Sequence, residues 1–243
     1  MRVKRTSLEL DNEHIKAFFR GRAGKYNKEN PYAVTMYQDD HPDLVRKRDA
    51  REKEKLLPKL ALDGESRVLD LACGIGRWAD SIATEVDSYL GIDFSEDLIG
   101  IAEKRPHGEN VRFRVGAAAE LDSVLAPDER FNRVLIVGLF MYLNDANILK
   151  CTQSLERHCD PRTVICIREP MGIEERLTVK DHFSSELNDT YNAIYRTRDE
   201  VVAILSQTLL TKGFRIADEG FLFEDQALNN RKETSQYYVI LHR

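Results

Sequence analysis

Arg67-Val-Leu-Asp-Leu-Ala-Cys-Gly-Ile-Gly-Arg-Trp-Ala-Asp80 is the stretch that decides the fold of this chain. An apolar run from Val68 to Ala72 is broken once, by Asp70. The chain then turns on Gly74 and Gly76 and resumes with Trp78, Ile82 and Val86 at helical spacing. That pattern reads as strand, tight glycine turn, helix. Glycines allow positive φ in such a turn and let a ligand approach bare backbone.

Two kinds of ligand suit the turn. With Ala79 the spacing is that of the dinucleotide fingerprint G-x-G-x-x-G/A, which seats a pyrophosphate on the helix N-terminus. Asp70 argues against it, because a carboxylate at the carboxyl end of the strand repels a pyrophosphate and suits a cation. A second acid, Asp93, closes the next apolar run, Tyr89-Leu-Gly-Ile-Asp-Phe94. It lies about 20 residues past the glycines, where an acid accepts hydrogen bonds from ribose hydroxyls. An adenosyl cofactor with a positive end satisfies both acids, and S-adenosyl-L-methionine carries a sulfonium and an ammonium and no phosphate.

Val68-Leu-Asp-Leu-Ala-Cys-Gly-Ile-Gly-Arg77, followed by Gly91-Ile-Asp-Phe-Ser95, resembles the class I S-adenosylmethionine-dependent methyltransferases, over residues 60–243. The resemblance implies S-adenosyl-L-methionine as cofactor and is nearly silent about the methyl acceptor; the basic and aromatic residues of 171–196 suit a hydroxylated or anionic small molecule. The resemblance also implies that Asp70 holds the methionine end and that Ala72, Gly74 and Gly76 give backbone contacts. Asp93 takes the ribose, and Phe94 covers the adenine face or joins the core. Many family members carry an aspartate just after the third strand's glycine to take the adenine amine. Here that position is Ala117, so the amine turns to Glu120 or a backbone carbonyl, with the Ala118 backbone meeting the ring. Gly138 and Leu139, past the fourth strand, become backbone contacts. Apart from the resemblance, Tyr26, Tyr32 and Tyr37 stand in a polar arm that reads either as a lid, with Tyr26 on the cofactor, or as a solvated arm whose tyrosines pack on the domain.

The totals agree with one such domain. The 243 residues are 42% hydrophobic and 32% charged, enough for a sizeable core, and the net charge of −5 argues against a nucleic-acid partner. Apolar runs are too short to span a bilayer, and Met1-Arg-Val-Lys-Arg-Thr6 lacks the apolar core of a secretory signal. The four cysteines show no paired ligand spacing and read as free thiols of a cytoplasmic protein. The sequence offers no acidic cluster for a metal.

Strands are expected at 67–72, 88–94, 111–115, 131–138, 163–168, 214–222 and 235–242, and helices at 77–86, 96–104, 145–158 and 198–212. This alternation predicts an α/β fold: a doubly wound, mostly parallel seven-stranded sheet with the last strand antiparallel. Residues 1–58 read as an N-terminal helical arm or lid. They include a short helix capped by Asp11 or Asn12, a loop from Arg20 to Tyr32, and a charged helix, 43–57, ended by Pro58. The default for that helix is a solvated face, with Leu44, Ala50 and Leu57 turned inward. Residues 59–243 form the binding domain, with a cap insertion at 171–196 above the active face.

The fifth strand ends Arg168-Glu169-Pro170, two charges that need partners at a buried strand end. Glu169 is a base candidate, with Arg168 as its partner or as a substrate clamp. In the insertion, His182 is the second base candidate, and Tyr191 or Tyr195 orients the acceptor. The function expected is methyl transfer to oxygen or nitrogen of a small molecule, in secondary-metabolite or cell-surface sugar biosynthesis. The alternatives are an NAD(P)-dependent oxidoreductase and a non-catalytic adenosyl-binding protein.

Overall fold

The computed structural model describes residues 2–4, 8–184, 187, 189–225, 228–229 and 232–243. In chain order, β1 (Arg2–Lys4) leads to α1 (Asn12–Ala23), α2 (Ala33–Met36) and α3 (Pro42–Leu60). The alternating body then runs β2 (Arg67–Leu71), α4 (Ala79–Ile82), β3 (Ser88–Asp93), α5 (Glu96–Ala102), β4 (Val111–Val115) and α6 (Leu121–Val124). It continues through β5 (Phe131–Val137), α7 (Asp145–Arg157) and β6 (Cys159–Gly172). A hairpin, β7 (Leu177–Ser184) and β8 (Asp189–Tyr195), precedes α8 (Arg198–Leu205), β9 (Arg215–Phe221) and β10 (Thr234–His242).

Seven strands form the main sheet in the order β4-β3-β2-β5-β6-β10-β9. β2, β3, β4, β5 and β6 are parallel, and β10 inserts antiparallel between β6 and β9. The expected sheet, with its antiparallel last strand, is therefore the observed one. Side chains alternate between its faces. Leu69, Leu71, Ile165 and Ile167 pack with α7 and α8, whereas Val68, Cys166 and Ile240 pack with Leu56, Leu60 and Trp78 on the other face.

Some elements are shorter than their periodicity predicts. The helix expected over 77–86 is α4 followed by a 3-10 turn, Ala83–Glu85, and the one over 198–212 divides into α8 and a 3-10 turn, Leu209–Lys212. α8 does carry the capping box at Thr197 and Glu200. Pro58 does not end α3, which runs on to Leu60. The carbonyl left without a proline N–H belongs to Glu54, which is exposed, so solvent can satisfy it.

α3 also corrects the solvated-face expectation. Its buried stripe is Val45, Arg48, Glu52, Lys53, Leu56 and Leu60, and Ala50 is exposed. Glu52 sits in the interior at 1% exposure. It accepts from Arg168 Nε at 2.7 Å and pairs with Arg77 Nη2 at 3.0 Å. Burial alone would raise its pKa, but the two guanidiniums hold the carboxyl below its ordinary value. Asp49 and Lys53 extend the network: Asp49 pairs with Arg77, and Lys53 with Asp49 at 2.9 Å.

The insertion is a second, small sheet, β1-β7-β8, all antiparallel; its residues 185, 186 and 188 lie outside the described ones. Leu177, Val179, Tyr191, Ala193 and Tyr195 share one apolar cluster with Ile15, Phe18 and Phe19 of α1. The arm and the insertion thus pack on each other across the carboxyl ends of the main sheet. Part of the expected loop is helical, since α1 extends to Ala23.

Glu52→Ala leaves two buried guanidiniums without their shared acid. The expected loss is about 3–5 kcal/mol of unfolding free energy, against less than about 0.5 kcal/mol for Glu54→Ala on the exposed face of the same helix. Urea unfolding of the two variants checks this, and equal midpoints would contradict it.

Candidate functional site

A cavity of about 460 Å³ lies at the carboxyl ends of β2, β3, β5 and β6, beneath the arm and β8. Open α/β sheets bind ligands at this place. The turn after β2 enters it with Ala72 at φ 64 and Gly74 at φ 56. At Gly74 a Cβ would stand 2.8 Å from the Thr35 methyl, so the bare backbone is needed for conformation and for space.

Asp93 joins the turns after β2 and β3. Its Oδ2 accepts from Gly74 N and its Oδ1 from Ser95 N, each at 2.9 Å. Burial pushes this carboxyl up to about 6 against the pull of those two amides. Asp70 is buried as well and accepts a short hydrogen bond from the Tyr89 hydroxyl. Burial pushes it up to about 7, with Tyr89 and Arg77 working the other way.

The structure brings most of the candidate cofactor residues to the cavity wall: Asp70, Ala72, Gly74, Asp93, Phe94, Ala117, Ala118 and Gly138. Gly138 lies at φ 71, its N–H bonded to the Arg168 carbonyl at 2.8 Å. Phe94 meets Phe19 of α1 edge-on with centroids 5.6 Å apart. Two candidates stand elsewhere. Gly76, at φ 78, backs onto Phe113, 2.8 Å from where its Cβ would be, so it shapes the turn from behind the cavity. Tyr26 packs at the margin of the arm's apolar cluster, outside the lining.

The catalytic candidates divide. Tyr195 lines the cavity and is buried. Glu169 does not line it: its carboxylate accepts the amides of Leu139 at 2.7 Å, Phe140 at 2.9 Å and Met141 at 3.2 Å. Adjacent strand residues face opposite ways, so Arg168 points to Glu52 of α3 and is not the hydrogen-bonded partner expected for Glu169. His182 is half-buried and outside the lining. β7 shifts register between Val179 and His182, with Asp181 at φ 47, and His182 pairs with Tyr191 of β8.

Two groupings on the wall are only partly legible in the sequence, which offers Tyr191 and Tyr195 singly but not their partners. One is a chain of phenols. Tyr37 and Tyr142 share a hydrogen bond at 2.6 Å, Tyr142 and Tyr191 one at 3.3 Å, and Tyr195 donates to Tyr191 at 3.2 Å. Burial raises Tyr37, Tyr142 and Tyr191, so these phenols stay protonated. They come from three distant segments, and no local pattern announces that meeting. The other group is Arg48, Glu52, Arg77 and Arg168. For α3 a signal does exist: Arg48 and Glu52 fall on the helical stripe defined by Val45 and Leu56.

Comparison with known proteins agrees with this geometry. Residues 68–162 match the family model described as Methyltransferase domain. A Pseudomonas putida protein described as a probable fatty acid methyltransferase is 29% identical over 126 residues, 51% of this chain and 32% of its own length. The matches reach less than half the length of each curated relative. Among solved structures, a phosphoethanolamine N-methyltransferase of Haemonchus contortus, in complex with phosphoethanolamine and S-adenosylhomocysteine, superposes with a TM-score of 0.72 at 17% identity. That match covers 96% of this chain and 50% of the other. Magnesium protoporphyrin IX methyltransferase of Synechocystis PCC 6803, with bound S-adenosylmethionine, superposes at 0.63 and 17% identity, over 98% of this chain and 100% of the other. With its glycine turn, its two strand-end acids and its seven-stranded sheet, the chain has the fold of the class I S-adenosylmethionine-dependent methyltransferases, and its residues 68–162 match a methyltransferase domain.

Proposed function

We propose that this chain moves a methyl group from S-adenosyl-L-methionine to a small-molecule acceptor at nitrogen or oxygen. One observation carries the reading: Asp70, Asp93 and the positive-φ turn between them line a single cavity with the phenol chain. The donor set suits the cofactor. Each oxygen of Asp93 takes one amide and keeps a lone pair for a ribose hydroxyl. Asp70, when ionised, answers an ammonium, and Phe94, Ala117 and Ala118 give an apolar seat to an adenine. S-adenosyl-L-methionine supplies a methyl activated by its sulfonium.

What the protein adds is alignment and exclusion of water. Tyr37, Tyr142, Tyr191 and Tyr195 are placed to hold and orient the acceptor; kept protonated by burial, the first three act as hydrogen-bonding groups and not as bases. The wall therefore favours an acceptor that is already a nucleophile, such as a neutral amine or an anionic oxygen. Glu169 serves as a positioning residue: it fixes the turn Leu139–Met141 that presents Gly138 and Leu139 to the cavity. The seat also speaks against a nicotinamide dinucleotide, whose pyrophosphate would face Asp70. Calorimetry with S-adenosylhomocysteine and with NADPH tests the reading directly; binding of NADPH alone would overturn it.

Three outcomes are expected. Asp93→Ala weakens S-adenosylhomocysteine by about 1.5–3 kcal/mol, the worth of a hydrogen bond to a charged group; unchanged affinity would remove the ribose assignment. Tyr89→Phe deletes a bond that favours ionised Asp70, so the Asp70 pKa rises above its value of about 7. Since the ammonium needs the ionised acid, affinity climbs with pH through that pKa, and the midpoint of calorimetric titrations moves to higher pH in the variant. Identical midpoints would place Asp70 away from the ammonium.

Glu169 predicts a stability slope. Burial pushes its carboxyl from 4.5 up to about 7, against the amides that favour the ionised form. The folded state thus binds the proton more tightly than the unfolded one. Its contribution is fully present below 4.5 and is lost as pH rises through about 7. In Glu169→Gln this part of the decline disappears from urea-unfolding free energies measured across that window; an unchanged slope would assign it to other groups.

A further inference from the structure

The cavity wall opposite the phenols carries an excess of hydrogen-bond donors. Trp78 is only 2% exposed and lines the cavity, yet its indole N–H has no partner among the described residues. Asn229 lines the same cavity, and its buried Nδ2 has no partner among them either. The Asn229 carbonyl is already used, accepting from Gln236 N at 3.2 Å and Ser235 Oγ at 3.4 Å. Gln236 gives its side-chain carbonyl to Arg168 Nη1 at 3.1 Å, which leaves its NH₂ as the group free for a ligand.

These groups are contiguous. The Arg77 guanidinium lies 5.5 Å over the Trp78 ring, and Glu52 links Arg77 to Arg168, which leads to Gln236 and Asn229. Within the network three cations, Lys53, Arg77 and Arg168, share two acids, Asp49 and Glu52. Buried donors left without acceptors are costly, and such sites are rare unless something fills them. A neutral, donor-rich ligand does not relieve them. An oxyanion does, by accepting several N–H bonds at once.

We propose that this lobe of the cavity binds an oxyanion of the methyl acceptor, a carboxylate or a phosphate, through Trp78, Asn229, Gln236 and Arg168. The inference rests on the methyl-transfer reading and narrows its substrate class to acidic small molecules. The acceptor is then held at two ends: its anion against the arginine side, its nucleophile beside the phenols.

The test uses the full chain saturated with S-adenosylhomocysteine, with benzoate and phenyl phosphate as probes and benzyl alcohol as the neutral control. At least one anion should raise the unfolding temperature in a saturable way while benzyl alcohol does not, and the stronger of the two names the oxyanion. Asn229→Asp keeps the carbonyl that Gln236 and Ser235 use and replaces the donor by an acceptor. It should raise the anion concentration needed by about tenfold or more, the worth of one charge-assisted hydrogen bond. Trp78→Phe keeps an aromatic ring and should move the anion response in the same direction; S-adenosylhomocysteine affinity should hold in both variants. If neither anion binds, or the variants bind it as the parent does, the proposal is overturned. It is also overturned if the variants weaken S-adenosylhomocysteine but spare 5′-methylthioadenosine, because the lobe then holds the cofactor's own carboxylate. Failure of S-adenosylhomocysteine to bind the parent chain would instead undo the broader reading.

Discussion

Glu52 is bonded to Arg77 on the turn after β2 and to Arg168 at the end of β6. Those two segments are far apart in sequence, and α3 supplies the anion that lets both guanidiniums lie beside a buried sheet. Without it, Arg168 loses its only carboxylate partner among the described residues and Arg77 is left with Asp49 alone, a costly arrangement beside a buried sheet. The consequences reach the cavity. Arg168, turned towards α3, leaves Glu169 on the opposite side of its strand to gather the amides of Leu139, Phe140 and Met141. Arg77, held by Asp49 and Glu52, stays close enough to Asp70 to favour its ionised form.

The same device appears twice beside the cavity: a buried carboxylate collects backbone N–H groups. Asp93 joins the turns after β2 and β3, and Glu169 folds the turn after β5. A carboxylate has lone pairs for several donors, which suits loops whose amides cannot all find carbonyls. Burial raises both acids, so the loops are held by groups poised near neutrality. The site is thereby shaped before a ligand arrives, which lowers the ordering cost of binding.

How much of this could be read in advance follows from the range of each interaction. The sheet was legible because a buried parallel strand is a short apolar run and its ends are marked by Gly74, Gly76 and Asp93 within a few residues. The seat proposed for the cofactor was legible for the same reason: Asp70, Ala72, Gly74, Asp93 and Phe94 lie on two consecutive strand ends. The side proposed for the acceptor was legible only in part: Tyr191 and Tyr195 stand out in the insertion, but their meeting with the other phenols does not. Tyr37, Tyr142 and Tyr191 meet only once the arm, the turn after β5 and the hairpin are folded against one another. His182 is suitable by residue type, but it stands half-buried outside the cavity lining, beside a register shift in β7 that no residue pattern signals. Glu52 was misread because a charged helix is usually solvated, while its burial depends on two arginines many residues away.

The division between the two sides also limits what relatives can say about substrate. The family-model match, residues 68–162, runs from β2 into the start of β6 and carries Asp70, Gly74, Asp93 and Gly138. Tyr37, Tyr191, Tyr195, Arg168, Asn229 and Gln236 all fall outside it. The arm, the hairpin and the segment before β10 therefore lie beyond what that match describes. A phosphoethanolamine enzyme and a magnesium protoporphyrin IX enzyme share the fold of this chain at 17% identity, a likeness that carries no substrate with it. Specificity in this chain must be argued from its own phenols and its own unpartnered donors, because those are the groups an acceptor would meet.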